Sequence, residues 1–297
     1  MATTDPVRTV ERGVSDPPRA SARSCRERDV DEGLMGVALL LGPANVIMQL
    51  ALPGVGYGVM ESRVESGRVD RHPIKRARTT FTYLAVAGQG TDEQKAAFRR
   101  AVNRAHAQVY STDQSPVEYN AFDKQLQLWV AACLYKGAVD AYRTFVGELD
   151  DAAADRHYAA SVSLGGTLQV PAEMWPADRP AFDEYWQATL KKVHIDDAVR
   201  RYLYPIAVSR VGRVRLPRPI QQRAENLALL ITTGFLPQRF RDEMRLPWDA
   251  ERQRRFDRLI GVLRAVNGVL PRPVRRFPFN VLLKDVDRRI RTGRPLV

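Results

Sequence analysis

TDEQKAAFRRAVNRAHAQVY, residues 91–110, has the pattern of an amphipathic helix and therefore indicates the class of fold. Thr91 is a favourable N-cap, and Gln94 three residues later completes a capping box. A four-residue spacing then places three side chains on one face: Phe98, Val102 and His106. Alanines flank this face, while arginine and amide side chains occupy the other. The chain is therefore expected to be helical here, with His106 on the face that packs inward.

His106 is the candidate functional residue that this helix supplies. A buried, neutral imidazole needs partners for its ring nitrogens, and a metal ion is one of the few partners that justify burying it. The alternative is a core histidine whose ring is hydrogen-bonded to a backbone carbonyl. Spacing alone favours that alternative, because histidine is often partly buried without a functional role.

The longest uncharged run is GLMGVALLLGPANVIMQLALPGVGYGVM, residues 33–60. Its length would span a bilayer, so a transmembrane helix is one interpretation. Pro43 and Pro53, together with amides and glycines, instead divide the run into a short segment at 34–41, a helix at about 44–51 and a glycine-rich turn. Each piece is too short to cross a membrane, and proline and amide groups are costly in a lone span. We therefore expect buried core, with peripheral membrane contact as the alternative.

The remainder of the chain also has helical patterns and lacks convincing alternating strands. Asp123 is a good N-cap for a nearly all-apolar helix that runs to about Val146. Further helices are expected at 151–165, 180–192, 198–206, 221–233, 249–266 and near 277–297. The 180–192 helix has the composition of an exposed element. The sequence thus predicts an all-α fold in a single large helical domain.

Positive charge is concentrated towards the C-terminus. Residues 207–297 contain 21 Lys and Arg against 8 Asp and Glu, which is +13. Residues 1–206 contain 25 against 26, or −1, and the two parts sum to the overall +12. A basic segment can meet anionic lipid, an acidic cofactor or nucleic acid. Because no helix-turn-helix, zinc-finger or RNP signature occurs, no nucleic-acid partner is expected, and a solvated basic face is the simplest interpretation.

Cysteine usage and the N-terminus indicate the cellular compartment. The two cysteines, Cys25 and Cys133, lie far apart, and no CxxC or HExxH pattern occurs, so neither a disulfide framework nor a zinc site is predicted. Residues 1–30 are polar, lack the apolar core of a secretory signal and are typical of a disordered tail. We expect a cytoplasmic location, with membrane association as the alternative.

Five stretches, in order along the chain, resemble the family of fungal MpaB-type oxygenases and bacterial latex-clearing proteins. They are PANVIMQLALPGVGYGV at 43–59, KRARTTFTYLAVAGQG at 75–90, RAHAQVYS at 104–111, Tyr119-Asn120-Ala121 with Leu128-Trp129-Val130, and GFLPQRFRDEMRLPW at 234–248. The second is similar to the family's R-x-x-[RK]-T block, the third to its H-x-x-V block and the last to its closing LP-x-x-R…L-x-W motif. Each motif alone is weak, but five in sequence are specific enough to suggest membership.

The resemblance implies an all-α domain that binds haem b and acts as an oxygenase, with His106 as the axial iron ligand. The other cofactor-binding candidates are Lys75, Arg76, Tyr119 and Trp129, and the catalytic candidates are Arg78 and Thr79. The cations at 75–78 would neutralise the haem propionates or polarise oxygen, while the uncharged segments would supply a buried apolar haem pocket. The implied partners are O₂ and a small apolar substrate, isoprenoid or lipid-like.

Two departures from the family pattern bear on this implication. Some latex-clearing members carry a lysine where Arg78 stands. A guanidinium stays protonated and cannot coordinate iron, so the distal position is expected to be open or water-filled. Many members have a histidine where Ala131 stands, which keeps a non-catalytic haem- or lipid-binding protein as the alternative function. The remaining histidines occupy polar settings and are not expected to bind iron: His72, His157 and His194.

These interpretations divide the chain into three parts. A polar tail occupies 1–30, a haem-binding helical domain 31–248, and a basic helical extension 249–297. The extension is expected to pack on the domain, where it would cover the pocket, form a dimer contact or dock on a membrane.

Overall fold

The computed structural model describes residues 35–64, 73–210 and 217–297. The predicted N-terminal tail at 1–30, Cys25 and His72 lie outside the described residues.

Within those ranges the backbone forms thirteen α-helices and two short 3-10 helices, and no β-strand. The α-helices are α1 (Gly42–Leu50), α2 (Pro53–Met60), α3 (Pro73–Gln89), α4 (Asp92–His106), α5 (Lys124–Phe145), α6 (Asp151–Leu168), α7 (Arg179–Leu190), α8 (Asp197–Ala207), α9 (Arg218–Phe235), α10 (Gln238–Met244), α11 (Ala250–Val269), α12 (Arg272–Arg275) and α13 (Phe279–Arg291). The 3-10 helices are Gly36–Leu41 and Ala172–Met174. The prediction of an all-α single domain is confirmed.

Helix α4 begins as the capping box predicts. The Thr91 hydroxyl accepts from the Gln94 backbone N–H at 3.2 Å, and the Gln94 side chain accepts from the Thr91 N–H at 2.8 Å. The helix ends at His106, one turn earlier than the sequence pattern suggested. The chain then turns, so that the Val109 carbonyl accepts from the Ala121 N–H at 2.9 Å. This turn leaves His106 at the last residue of its helix.

Helix α1 lies inside the core. Ile47 is fully buried, and the Asn45 side-chain amide donates to the Cys133 carbonyl on α5 at 2.6 Å, which satisfies a polar group in an apolar setting. The expectation of buried core is confirmed for this helix. In the described part of the chain no single helix is long and apolar enough to cross a membrane; Gly36–Leu50 and Pro53–Met60 pass that test only as a pair, bent by 110°.

The glycine-rich stretch after α1 is helix α2, so its prediction as a turn was wrong. Pro53 stands in the first turn, where a missing N–H removes no helical hydrogen bond. Gly56 is buried where the backbone closes on itself, because a Cβ built there would lie 2.5 Å from the Leu50 carbonyl oxygen. A Cβ on Gly58 would meet the Tyr119 ring at 3.3 Å. Close packing therefore outweighs the low helix propensity of glycine here.

We expect Gly56→Ala to destabilise the protein by about 1–3 kcal/mol, because the added methyl group overlaps a backbone oxygen that cannot move aside. The matched control is Gly166→Ala in α6, where an added Cβ meets nothing within 4 Å and stability should rise by up to about 1 kcal/mol. Urea unfolding of both variants measures the difference. Equal free energies of unfolding would show that α2 accommodates a side chain at this position.

Helix α5 forms the centre of an aromatic core. Trp129 is fully buried and stacks on Trp186 of α7, with ring centroids 4.9 Å apart. Tyr135, also on α5, meets Phe182 of α7 edge to face at 4.7 Å. Because Phe182 and Trp186 both face inward, the prediction that the 180–192 helix is exposed was wrong. The two aromatic residues one turn apart give this otherwise polar helix a buried face.

The C-terminal helices pack on helices that precede them. Helix α11 lies against α9 and α5, and α13 lies along α3. At the start of α13, Phe279 is buried and meets Phe81 of α3 edge to face at 6.4 Å. Residues after 249 therefore form part of the same helical assembly and support α3, the helix that carries most of the basic site candidates.

Candidate functional site

His106 is the last residue of α4. The residue is partly buried, and its Nδ1 atom is buried without a hydrogen-bond partner. The ring of Phe122 approaches the imidazole edge to face, with centroids 6.4 Å apart. The carbonyl partner expected of an ordinary core histidine is therefore missing at Nδ1, and a buried polar atom without a partner calls for an explanation.

The surroundings of His106 keep its imidazole neutral. Burial, and then the positive charge of Arg76, lower the pKa of His106 to about 4. At neutral pH the ring consequently has a lone pair on one nitrogen. This is the protonation state that metal coordination requires.

The lowered pKa of His106 predicts a specific pH dependence. Its pKa is about 4 in the folded chain and 6.5 in the unfolded chain, so only the unfolded state takes up a proton as the pH falls from 6.5 towards 4. The contribution of the neutral ring to stability is complete above pH 6.5 and is lost through this window. We therefore expect the free energy of unfolding of cofactor-free protein, measured with urea, to fall less between pH 6.5 and pH 4 for His106→Leu than for the wild type. Equal falls in the free energy of unfolding for the two proteins would contradict the lowered pKa of His106.

Arg76 is the cation that the structure brings close to His106. It is the fourth residue of α3 and is partly buried. Burial lowers the pKa of Arg76, and the nearby Tyr202 of α8 raises it. An arginine remains protonated despite such a shift. No described carboxylate forms an ion pair with its guanidinium, so the site contains a desolvated positive charge that an anionic ligand would stabilise.

Other predicted site residues of α3 have different surroundings. Lys75 is exposed at the surface. Arg78 forms a 3.8 Å ion pair with Asp285 of α13, which also accepts from Arg289 at 2.6 Å. Thr79 is partly buried. Of the four α3 candidates, only Arg76 has an interaction with His106.

Tyr119 and Trp129 make contacts that hold the fold together. The Tyr119 hydroxyl donates to a Glu61 carboxylate oxygen at 2.7 Å, and Ser115 donates to the same oxygen at 2.7 Å. The Trp129 indole N–H lies 3.2 Å from the Met48 carbonyl in the fully buried core. The Glu61 contacts fasten the 107–123 loop, which carries Phe122 against His106.

Two amide side chains near this loop were not among the predicted site residues. Asn103 stands three residues before His106 on α4, and its buried Oδ1 has no partner. Gln127 is buried on α5; its Nε2 donates to the Ala121 carbonyl at 2.7 Å, but its Oε1 is unpartnered. The sequence pattern places Asn103 on the polar side of the helix. The i,i+3 spacing, which puts two residues on neighbouring positions of one face, was the signal that could have identified it.

Phe122 and Tyr202 also lie at the site, and the sequence did not predict this. Phe122 follows a turn and has 40% of its surface exposed, and Tyr202 lies on a helix 126 residues after Arg76. Neither is near His106 in sequence or part of a periodic pattern that includes it. Only the tertiary packing brings them to the site.

The other described histidines differ from His106 and from one another. His157 is buried in α6, with its ring 6.0 Å from that of Tyr135, so the expectation of a polar setting was wrong for this residue. His194 is largely exposed, and its Nδ1 lies 3.3 Å from Glu243. Ala131, where many family members have a histidine, is fully buried.

The described residues contain no group of three or more His, Cys, Asp and Glu that could hold a metal ion. A metal at His106 would therefore have to bring most of its ligands with it, as iron in a tetrapyrrole does.

A surface pocket of about 360 Å³ lies elsewhere, between α6 and α7. Its lining includes Asp155, Tyr158, Trp175 and Arg179, and none of the predicted site residues.

Comparison with known proteins gives one family and two relatives. The sequence profile of the family described as "ER-bound oxygenase mpaB/B'/Rubber oxygenase, catalytic domain" matches residues 32–265. Uncharacterized proteins from Mycobacterium bovis and Mycobacterium tuberculosis are each 51% identical to this chain over 259 residues, which is 87% of this chain and 100% of the relative. No solved structure matches the chain. The profile match covers every helix from α1 to α10 and most of α11.

Proposed function

Because this chain belongs to the MpaB and rubber oxygenase catalytic-domain family, we propose that it is a haem b-dependent oxygenase with an apolar substrate. Oxygenase chemistry is the activity for which the family is described. The haem, the iron ligand His106 and the substrate class are our proposals.

One observation carries the proposal: a neutral imidazole, neither of whose ring nitrogens has a described hydrogen-bond partner, lies near a partly buried guanidinium without a described carboxylate partner. Each group lacks what haem b offers. The iron accepts a neutral nitrogen ligand, and a propionate supplies the negative charge that Arg76 lacks. A water molecule could satisfy the imidazole, but it would leave the arginine without a counter-ion. The residues present therefore fit this cofactor.

When bound, haem would supply the binding and activation of O₂, since no protein side chain performs that chemistry alone. His106 would bind the iron through its neutral imidazole at the C-terminal end of α4. Arg76 would orient the cofactor through a propionate. Phe122 would exclude water from the imidazole, and the Glu61 contacts keep the 107–123 loop in place.

An apolar substrate fits the side chains beside His106. The Phe122 ring offers hydrocarbon surface beside the imidazole, and Val102, one turn before His106 on α4, is also apolar. Ala131 on α5 supplies no polar group where many family members have a histidine. Rubber, which the family description names, is an unsaturated isoprenoid polymer. We therefore propose an isoprenoid or another lipid-like alkene as the substrate class.

The experiment is reconstitution of the purified full chain with haem b, followed by oxygen uptake. We expect a Soret band, one iron per chain, and O₂ consumption that requires both haem and an unsaturated isoprenoid such as cis-polyisoprene. A colourless protein that takes up no added haem would overturn the proposal. Stoichiometric haem without oxygen uptake, across isoprenoid and lipid alkenes, would instead support the non-catalytic haem-binding alternative.

Asn103 is a candidate positioning residue for His106. Their buried, unpartnered Oδ1 and Nδ1 atoms are complementary once Nδ1 carries a proton, and they stand one helical turn apart. A change of side-chain rotamer would let Asn103 accept a hydrogen bond from the imidazole. Such a bond would aim Nε2 at the iron, because metal-ligating histidines are oriented through their other nitrogen.

We expect Asn103→Leu to weaken haem affinity by about 10-fold or more and to raise the reduction potential of the bound haem. Asn103→Asp should lower the potential, since a carboxylate acceptor makes the imidazole a stronger electron donor. Spectroelectrochemical titration of both variants measures the two shifts. Unchanged or same-direction potentials would contradict the positioning role.

A further inference from the structure

Five exposed apolar side chains are concentrated in one short segment near the C-terminus. We call them the C-terminal apolar patch: Val262, Val266, Val269, Val274 and Phe277, which are between 49% and 83% exposed. They occupy the last turns of α11, the single turn α12 and the second residue after α12. Isolated exposed valines are ordinary, but five within sixteen residues form an unusual density.

The first three members of the patch share one face of α11. Val262, Val266 and Val269 follow the i, i+4, i+7 spacing of a helical stripe. The opposite face of α11 packs against the rest of the protein, because Phe256 and Asn267 are buried there. The Asn267 side chain contacts the Met35 sulfur at 3.4 Å. The valine stripe is therefore a second apolar face, directed away from the core and without a described partner.

The chain folds tightly after this stripe. In α12 the Val274 N–H donates to the Pro271 carbonyl at 3.0 Å, and the Phe277 N–H donates to the Val274 carbonyl at 3.2 Å. The same turn rests on the first 3-10 helix, where a Cβ on Gly36 would lie 2.2 Å from the Phe277 carbonyl oxygen. The patch is therefore carried on an anchored part of the fold.

All the charged residues within the C-terminal apolar patch segment are positively charged. Residues 262–277 contain four arginines and no Asp or Glu. Arg264 and Arg272 are exposed and have no ion pair with a described residue, and Arg275 is partly buried. Apolar side chains interleaved with arginines form a surface that is both hydrophobic and cationic.

We propose that the C-terminal apolar patch docks on an anionic phospholipid membrane. Valine and phenylalanine side chains would enter the boundary between headgroups and acyl chains, and the arginines would contact lipid phosphates and carboxylates. A second copy of this chain is a poorer occupant, since symmetric pairing would bring arginines against arginines. Nucleic acid would match the charge but would leave the five apolar side chains without a partner. This proposal is independent of haem binding.

Flotation of the full-length protein with vesicles tests the proposal. The probes are vesicles of phosphatidylcholine alone and vesicles that also contain phosphatidylserine. We expect binding to the anionic vesicles only, weakened by high salt because salt screens the arginine contribution. The double variant Val266→Ser/Phe277→Ser should bind more than tenfold more weakly. The double variant Arg264→Gln/Arg272→Gln should bind about 25-fold more weakly, at about fivefold per arginine.

The matched control is Tyr204→Ser, which removes an exposed apolar side chain from α8. It should bind vesicles like the wild type, and circular dichroism of all variants establishes that they fold. Three results would overturn the proposal. They are an absence of binding to anionic vesicles, binding that the patch variants do not alter, and a patch-dependent dimer or nucleic-acid complex in place of lipid binding.

Discussion

His106→Ala is expected to yield a folded protein that no longer binds haem. The imidazole is neutral and partly buried, and it has a buried nitrogen without a described partner. Removal of an outer partner of a metal-bound histidine costs about 10–100-fold in affinity, and removal of the ligand itself should cost more. The Soret absorbance and the iron content of the purified variant measure the loss.

His194→Ala is the control for this variant. His194 is a histidine on the surface, with 68% of its side chain exposed, so haem binding should be unchanged. Added imidazole should partly restore the spectrum of His106→Ala by occupying the space that the side chain leaves. Full haem loading of His106→Ala, with an unshifted Soret band, would identify another ligand and remove His106 from the site.

Trp129→Ala is expected to destabilise the cofactor-free protein by about 3–5 kcal/mol. The residue is fully buried, stacks on Trp186 at 4.9 Å and donates its indole N–H to backbone carbonyls of the α1 helix. Its removal leaves a cavity between α1, α5 and α7 and two carbonyls without that donor. For a domain of this size the loss corresponds to a fall in melting temperature of roughly 10 °C.

Trp248→Ala is the matched control, because this partly buried indole bonds to an exposed Gln253 side chain and should cost much less. Differential scanning calorimetry compares the two variants without cofactor. The resemblance to the oxygenase family had implied that Trp129 contacts haem. A variant with wild-type stability and weakened haem binding would favour that role over the packing role.

The sequence predicted those features that depend on local pattern. The capping box at Thr91 and Gln94, the cap at Asp123 and the inward stripe of α4 are contained within single helices, where spacing determines which side chains share a face. The helical class followed from these signals. The buried uncharged run was also predictable, because proline and amide groups argued against a lone membrane span.

The sequence could not predict which basic residue of α3 lies near His106. Arg76 and Arg78 are two positions apart, so they point about 200° apart around the helix. One interacts with His106, whereas the other pairs with Asp285 on the last helix. That choice depends on the rotation of α3 against α4 and α13, which no short motif encodes. The helical nature of the Gly56 stretch was missed for a similar reason, since the contacts that favour it come from packing.

The distance in sequence between the parts of the site has a consequence for how the protein matures. Arg76 meets Tyr202 from a position 126 residues away, and Phe122 reaches His106 through a loop fastened by Glu61 of α2's C-cap. Closing such long loops is slow and becomes favourable only when much of the chain has collapsed. The emerging chain on the ribosome therefore has no complete site until α8 has been synthesised and docked. We therefore expect whatever His106 and Arg76 hold together to be acquired late in folding.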